Sequence, residues 1–138
     1  MKLNPYLLLD GTSEEALTFY ADIFGVTKID IMKYGNMPDD MPVPDEAKDL
    51  VANGNIKIGD NNIHMSDRVQ AWHGDHKPIA GVTIQIETED TAEAQRIFDA
   101  LAEAGAVTMA PSKTFWSPLF GTLTDKFGVD WMINCVEP

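Results

Sequence analysis

Residues 12–25 read TSEEALTFYADIFG, and residues 90–105 read DTAEAQRIFDALAEAG. Each segment opens with a side chain that can cap a helix, Thr12 or Asp90, and a glutamate follows three positions later. This spacing is typical of a capping box, with an aspartate variant in the second segment. The pattern therefore predicts a helix that begins near residue 13 and a second that begins near residue 91.

Both segments carry one apolar stripe at positions i, i+3, i+4 and i+7, which is typical of an amphipathic helix. We expect each helix to end at a glycine, Gly25 or Gly105, and the second helix to be slightly longer. The stripes consist of Ala16, Phe19, Tyr20 and Ile23 in the first segment and Ala94, Ile97, Phe98 and Leu101 in the second.

The same offset extends to the strands around each helix. Leu3–Leu9 aligns with Gly81–Glu87, where Val82, Ile84 and Ile86 alternate with polar residues and predict a half-buried strand. Each half therefore predicts a β-α-β-β-β module, and we expect one α+β domain with module one at 1–67, a linker at 68–78 and module two at 79–138. The further predicted strands are 27–34, 52–58, 62–66, 106–109, 120–124 and 129–136.

A long loop is expected at 35–50, where Pro38, Pro42 and Pro44 oppose regular structure. Loops of this length in small domains often act as lids or partner contacts. A plain surface insertion explains the same composition, and the sequence leaves both alternatives open.

Composition excludes several classes of partner. The net charge of −12 opposes binding to phosphate backbones and anionic lipids. No apolar run approaches the roughly 20 residues that span a bilayer, and Met1–Pro5 lacks the apolar core of a signal peptide. The single cysteine, Cys135, fits a reducing compartment. We therefore predict a cytoplasmic protein with neither nucleic-acid nor membrane partners.

Two such modules in a chain of 138 residues resemble the vicinal-oxygen-chelate (glyoxalase, bleomycin-resistance and dioxygenase) superfamily. The PhnB-like branch is the most similar, through local motifs spread over nearly the whole chain. The resemblance implies curved mixed sheets around a cleft that holds a small molecule and, in many members, a divalent metal; it also implies a homodimer. The motifs are Asn4-Pro5-Tyr6-Leu7, Glu14-Glu15-Ala16-Leu17 with Phe19-Tyr20, Met37-Pro38, Met41-Pro42, Thr114-Phe115-Trp116, and the run from Asp125 to Asn134.

Alternation assigns the two faces of each sheet without reference to a family. The apolar set should pack under the helices, and the opposite, mostly polar set should face the cleft or solvent. The apolar set is Ile56, Ile58, Ile63, Met65, Val82, Ile84, Ile86, Trp131, Ile133 and Cys135. The opposite set is Asn55, Lys57, Asn62, His64, Ser66, Thr83, Gln85, Glu87, Thr122, Thr124, Asp130, Met132 and Asn134.

Metal-dependent relatives are expected to hold the ion with His, Glu or Gln on the first and last strand of each module. Registering the two copies by their capping boxes places Pro5, His64, Thr83 and Met132 at those positions. Only His64 binds metal strongly, whereas a catalytic zinc typically has three protein ligands. The sequence therefore predicts no metal and no cofactor in the cleft. His73 and His76 with Asp75 form either a polar loop, which we favour, or a surface metal site.

His64 is the candidate catalytic residue, because imidazole exchanges protons near neutral pH. A structural histidine is the competing interpretation, and Cys135 is expected to be buried and inert. Three functions remain open: a metal-independent enzyme, a protein that sequesters a small molecule, and a structural dimer with a vestigial site. The predicted ligand-binding residues are Ser66, Thr83, Gln85 and Asn134, with Trp116 at the edge and Tyr34 at the mouth.

Overall fold

A computed structural model describes residues 1–38 and 41–138 of the chain. The chain divides into two compact units, 1–77 and 78–138, and the boundary falls within the predicted linker. Each unit contains one four-stranded mixed sheet and one long helix, so the predicted α+β class is confirmed. In the described ranges no helix combines the length and the apolar character needed to cross a membrane.

Unit 1 has the predicted β-α-β-β-β order. Its sheet runs β1-β4-β3-β2, with β1 parallel to β4 and the other pairs antiparallel. A short helix, α2, follows the last strand. The elements are β1 (Tyr6–Leu9), α1 (Ser13–Phe24), β2 (Ile29–Lys33), β3 (Val51–Ile58), β4 (Asn61–Asp67) and α2 (Gln70–His73).

Unit 2 repeats this topology, with the strand order β5-β8-β7-β6 and β5 parallel to β8. The predicted pair of modules is therefore confirmed. The least accurate strand boundaries are those of β1, which begins after Pro5, and β6, which continues past the predicted end at Met109. The elements are β5 (Thr83–Thr88), α3 (Thr91–Ala102), β6 (Ala106–Ser112), β7 (Phe120–Thr124) and β8 (Asp130–Cys135).

The two helices begin where predicted, but only one is capped as predicted. The Asp90 carboxylate accepts hydrogen bonds from the backbone N–H groups of Ala92 and Glu93, at 2.9 and 3.1 Å. The Thr12 side chain makes no capping hydrogen bond, so the predicted cap of α1 is wrong. Asp67 takes that role, since its Oδ1 accepts a hydrogen bond from the Ser13 N–H at 3.0 Å.

Asp67 connects four parts of unit 1. Its second carboxylate oxygen accepts the N–H of Val51 at 2.9 Å, and its backbone carbonyl accepts the Tyr34 hydroxyl at 3.0 Å. Only 2% of its surface is exposed. A buried carboxylate requires hydrogen-bond partners, and here they come from the start of α1 and the start of β3. Asp67 therefore fixes the helix against the sheet.

The helix C-termini differ from the prediction in unit 2. Helix α1 ends at Phe24 and is capped by Gly25, whose φ of 68° is the left-handed conformation that glycine favours. Helix α3 ends at Ala102 and has the same length as α1, so the predicted longer helix is wrong. Ala104 adopts the left-handed φ of 57° instead of Gly105. Gly105 serves close packing, since a Cβ there would collide with the carbonyl oxygen of Thr124.

This arrangement predicts opposite effects for two neighbouring substitutions. Ala104→Gly should raise the free energy of unfolding by about 0.5 to 1 kcal/mol, because it relieves a left-handed alanine. Gly105→Ala should lower it by about 1 to 3 kcal/mol, because the added methyl group forces the backbone of β7 to move. Urea denaturation followed by circular dichroism measures both changes. Equal effects of the two variants would contradict this account of the turn.

Each helix covers one face of its sheet, and the predicted apolar residues mostly lie there. Ile56, Ile63, Met65, Trp131, Ile133 and Cys135 are buried, as expected from alternation. The prediction is less accurate for β5, a strand at the sheet edge. Val82 precedes the strand and is 65% exposed, while Ile84 and Ile86 are half-buried, as is Ile58 at the end of β3.

The predicted loop at 35–50 folds back on itself. Backbone hydrogen bonds close its base, from Tyr34 N–H to Leu50 O at 3.0 Å and from Gly35 N–H to Lys48 O at 2.9 Å. Short 3₁₀ turns occupy Tyr34–Asn36 and Asp45–Ala47, and Ala47 is buried. Residues 39 and 40 of the loop lie outside the described residues. Its role as a lid or partner contact stays a prediction.

Candidate functional site

A row of four side chains with polar groups crosses the sheet of unit 1. Asp30, Asn55, His64 and Tyr6 are in register on β2, β3, β4 and β1. Side chains that pair directly across neighbouring strands point to the same face, about 4.5–5.5 Å apart. We call these four residues the His64 row; they lie on the open face, opposite the apolar side chains that pack against α1.

Tyr6 forms one end of the row and is not among the ligand-binding residues that the sequence predicts. Its ring lies parallel to the His64 ring, with an interplanar angle of 5° and 6.1 Å between centroids. All four residues of β1 are apolar or aromatic, so alternation alone does not reveal which of them face outward. The parallel pairing of β1 with β4 settles the question, since Leu7 and Leu9 are buried and Tyr6 is 52% exposed.

Asn55, next to His64, holds a buried polar atom without a partner. Its Oδ1 is inaccessible to solvent, yet no group of the described chain donates a hydrogen bond to it. Leaving a buried acceptor unpaired costs about 1–3 kcal/mol, and such atoms in native proteins require an explanation. A molecule bound on the open face would supply the missing donor once the Asn55 side chain rotates its oxygen towards that face.

Ser66 and Tyr34 are positioned differently from His64. Ser66 lies on the same face of β4, but its surface is only 5% exposed, and two residues along a strand separate it from His64 by roughly 6.5–7 Å. The Tyr34 hydroxyl is already bonded to Asp67. Burial, followed by the neighbouring Tyr6 and Asp67, raises the pKa of Tyr34. Ligand contact by either residue stays a prediction.

The open face of the unit 2 sheet carries the remaining predicted residues. Thr83 and Gln85 are exposed on β5. Asn134 on β8 is half-buried and lies in register with Phe120 on β7. Its Oδ1 is a second buried amide oxygen without a hydrogen-bond partner in the described chain. In the described part of each unit, the open face therefore carries an asparagine with an unpaired buried oxygen next to an aromatic ring: Asn55 beside His64, and Asn134 beside Phe120.

Trp116 lies in the loop before β7 and packs edge-to-face on Phe120, with 5.2 Å between ring centroids. It lines a cavity of about 290 Å³ in unit 2. The other lining residues are Lys113, Thr114, Phe115, Ser117, Pro118, Val136 and Glu137. This cavity is lined by none of the other predicted ligand-binding residues, so the position of Trp116 at the edge of their pocket stays a prediction.

Comparison with known proteins identifies the family. The model of the Glyoxalase/Bleomycin resistance protein/Dioxygenase superfamily matches residues 2–133. The chain belongs to this superfamily. Protein YjdN of Escherichia coli strain K12 is 34% identical over 99% of this chain and 97% of its own length. The resemblance drawn from the sequence motifs is therefore confirmed.

Two solved structures are similar to this chain along its whole length. Protein PA1353 from Pseudomonas aeruginosa matches with a TM-score of 0.88 and 34% identity, over 100% of this chain and 99% of that one. The PhnB protein from Bacillus cereus, described as a putative 3-demethylubiquinone-9 3-methyltransferase, matches with a TM-score of 0.79 and 24% identity, over 99% and 100% of the two chains. At that identity the second match shows the fold alone.

The strand pairing corrects the register in which glyoxalase-type ligand positions were assigned. The segment between the first strand and the helix is one residue shorter in unit 2. An alignment of the two units by their capping boxes therefore places β1 and β5 one residue out of register. In register with His64 lies Tyr6, not Pro5, and in register with Met132 lies Gln85, not Thr83.

The side chains at these four positions fit a divalent metal poorly. They offer one imidazole, one phenol, one amide and one thioether, and the thioether is a soft ligand unsuited to Mg²⁺ or Mn²⁺. The His73 Nδ1 already accepts the Val69 N–H at 2.8 Å. Within 1–38 and 41–138 no three His, Cys, Asp or Glu side chains are grouped to hold an ion. Metal independence rests on this donor chemistry and stays a prediction.

Proposed function

We propose that this glyoxalase-superfamily protein binds a small organic molecule on the open face of its unit 1 sheet and converts it without a metal. His64 is the proposed general acid or base. The observation that carries the proposal is the unpaired Asn55 Oδ1 beside His64. An unpaired buried acceptor destabilises the free protein, and a ligand that donates a hydrogen bond to it removes this cost, which favours binding.

His64 has the chemistry and the accessibility for proton transfer. A neutral imidazole carries one donor and one acceptor nitrogen, so it can both take and return a proton. The residue is half-buried on the open face, between Asn55 on β3 and Tyr6 on β1. A molecule bonded to the Asn55 amide would therefore lie within reach of the imidazole and against the phenol ring.

The charge of the protein favours one class of ligand. The net charge of −12 attracts cations and repels anions over the whole surface. Asp30 extends the row beyond Asn55, so a carboxylate follows the amide acceptor on the same face. A neutral or cationic molecule with N–H donors fits these groups better than a carboxylate or phosphate.

Sequestration without catalysis is the second candidate function. Catalytic bases are usually oriented by a further hydrogen bond. No side chain of the described ranges donates to or accepts from the His64 ring, which favours a binding role. Mass spectrometry of a bound compound after prolonged incubation separates the two functions, because only an enzyme changes the mass of the compound.

Substitutions in the His64 row should separate binding from stability. Asn55→Ala should leave the free energy of unfolding within about 1 kcal/mol of the wild-type value, because it removes an unpaired polar atom. His64→Ala should likewise change the free energy of unfolding by no more than about 1 kcal/mol, because it removes no apolar side chain from the core. Both variants should bind at least about tenfold more weakly to compounds that raise the melting temperature of the wild type. Thermal melts with a library of small N–H-bearing cations provide both readouts.

Lys57→Ala is the matched control, because Lys57 lies on the same face of β3 but is exposed. Its ligand response should equal that of the wild type. If Asn55→Ala binds ligands as well as Lys57→Ala does, the amide does not contact the ligand and the proposal fails. Unfolding of His64→Ala at ambient temperature would instead assign the histidine a structural role.

A further inference from the structure

Three side chains cross the open face of the unit 2 sheet in one row. Asn134 on β8 is in register with Glu87 on β5 and with Phe120 on β7. Residues paired in this way point to the same face of a sheet, on strands about 4.7–4.9 Å apart. We call these three residues the Asn134 row.

The polar groups of the Asn134 row have no partners in the described part of the chain. The Asn134 Oδ1 is buried and accepts no hydrogen bond there, and such an atom requires an explanation. Glu87 is exposed, and no cationic side chain of the described residues pairs with it. Both groups would be satisfied by the N–H donors of a bound molecule, once the Asn134 side chain rotates its oxygen towards the open face.

The cavity of about 290 Å³ in unit 2 lies next to the Asn134 row. Val136, which lines the cavity, follows Asn134 by two residues, so continued alternation places it on the same face at roughly 6.5–7 Å. Trp116 also lines the cavity and packs on Phe120 of the row. Because a cavity of about 150 Å³ holds a benzene ring, this one has room for an aromatic ring whose substituent reaches the row.

Phe115 extends this cavity as an exposed aromatic wall. Its side chain is 97% exposed, and its ring meets that of Trp116 edge-to-face with 4.7 Å between centroids. The backbone around it is fixed, since the Thr114 N–H donates to the Ser117 carbonyl at 2.9 Å and the Ser117 Oγ donates to the Cys135 carbonyl at 2.6 Å. Rotation of the Phe115 side chain alone therefore suffices to cover a bound ring.

The charges around the cavity favour a cation. Lys113 and Glu137 both line it and are exposed, while Glu87 lies in the adjoining row. Two carboxylates thus outnumber one ammonium group, in a protein of net charge −12. Aromatic faces also attract cations, because the ring quadrupole is negative above the plane. An organic ammonium ion fits these groups, whereas a carboxylate or a phosphate is repelled.

We propose that unit 2 binds a primary arylalkyl ammonium ion. Its ring lies in the cavity against Trp116, with Phe115 folded over it. Its N–H groups donate to the Glu87 carboxylate and to the rotated amide of Asn134. The site consists of residues of unit 2 and does not rest on the function proposed for the His64 row.

Isothermal titration calorimetry with phenethylammonium tests the charge preference, with 2-phenylethanol and phenylacetate as the matched neutral and anionic probes. Phenethylammonium should bind at least about tenfold more tightly than 2-phenylethanol, and phenylacetate should bind more weakly than either. Higher ionic strength should narrow these differences. Equal affinity for the three probes, or no binding of phenethylammonium at millimolar concentration, would overturn the proposal.

Variants in unit 2 test the location of the site. Trp116→Ala should weaken phenethylammonium binding about tenfold or more, and Glu87→Gln about threefold or more. Glu103→Gln is the control for the change of charge, because Glu103 is exposed at the end of α3, which packs on the other face of the sheet. Its dissociation constant should equal that of the wild type. None of the three residues is buried, so the circular dichroism should be unchanged.

Nuclear magnetic resonance locates the ion without a substitution. The indole N–H signal of Trp116 should shift during the titration, whereas that of the buried Trp131 should not. Affinity that falls in Asn55→Ala but not in Trp116→Ala would assign the ion to the His64 row. That result would overturn the inference and leave the proposed function standing. Unchanged affinity in both Trp116→Ala and Glu87→Gln would also overturn the inference.

Discussion

Asp67→Ala should lower the free energy of unfolding by about 3 to 5 kcal/mol, because it leaves two buried backbone N–H groups without an acceptor. These groups belong to Ser13 at the start of α1 and Val51 at the start of β3. The loss includes the helix cap, which alone contributes about 1 kcal/mol. Urea denaturation followed by circular dichroism measures the change.

Asp67→Asn refines this prediction. The amide keeps one acceptor oxygen, but its NH₂ group would face the second backbone N–H, so the variant should lose about 2 to 3 kcal/mol. Asp60→Ala is the control, since Asp60 is exposed in the turn before β4 and should change stability by less than about 0.5 kcal/mol. An Asp67→Ala variant as stable as that control would show that water replaces the carboxylate.

Trp131→Ala should be comparably destabilising in unit 2, with a loss of about 3 to 5 kcal/mol. The indole is 1% exposed, and its Nε1–H donates to Asp125 Oδ2 at 2.8 Å. The other oxygen of Asp125 accepts the N–H groups of Phe127 and Val129, so the same carboxylate holds the turn between β7 and β8. Removing the ring therefore opens a cavity and disturbs this turn.

Trp131→Phe separates the two contributions. It keeps most of the apolar volume but removes the indole N–H, and we expect a loss of about 1 to 3 kcal/mol. Trp72→Ala should cost about 1 kcal/mol or less, because Trp72 is 42% exposed and its ring contacts are edge-to-face, with Tyr34 and His73. Thermal or urea melts of the three variants give the comparison. Equal losses in Trp131→Ala and Trp72→Ala would contradict the burial argument.

Features encoded by nearby residues were predictable from the sequence. Helices α1 and α3 begin at Ser13 and Thr91 as expected, because their apolar stripes and acidic first turns are local signals. The polar face of β4 was also predictable, since Ile63 and Met65 alternate with polar residues. In each case the residues that carry the signal lie within a few positions of each other along the chain.

Features that depend on distant partners were not predictable in the same way. The cap of α1 comes from Asp67, 54 residues after Ser13, so Thr12 was the only local candidate. Tyr6 could be placed beside His64 only once the parallel pairing of β1 and β4 was known. The orphaned Asn55 amide is likewise a property of packing, because an asparagine in a strand does not reveal whether its oxygen finds a donor.

The pairing of first and last strands within each unit has a consequence for synthesis on the ribosome. β1 has its sheet partner in β4, and β5 has its partner in β8, so neither early strand can pair until its module is almost fully translated. At about 5–20 residues per second, β1 waits on the order of seconds for β4 to emerge. During that interval the nascent chain exposes an unpaired strand edge, and edges of this kind are prone to aggregate.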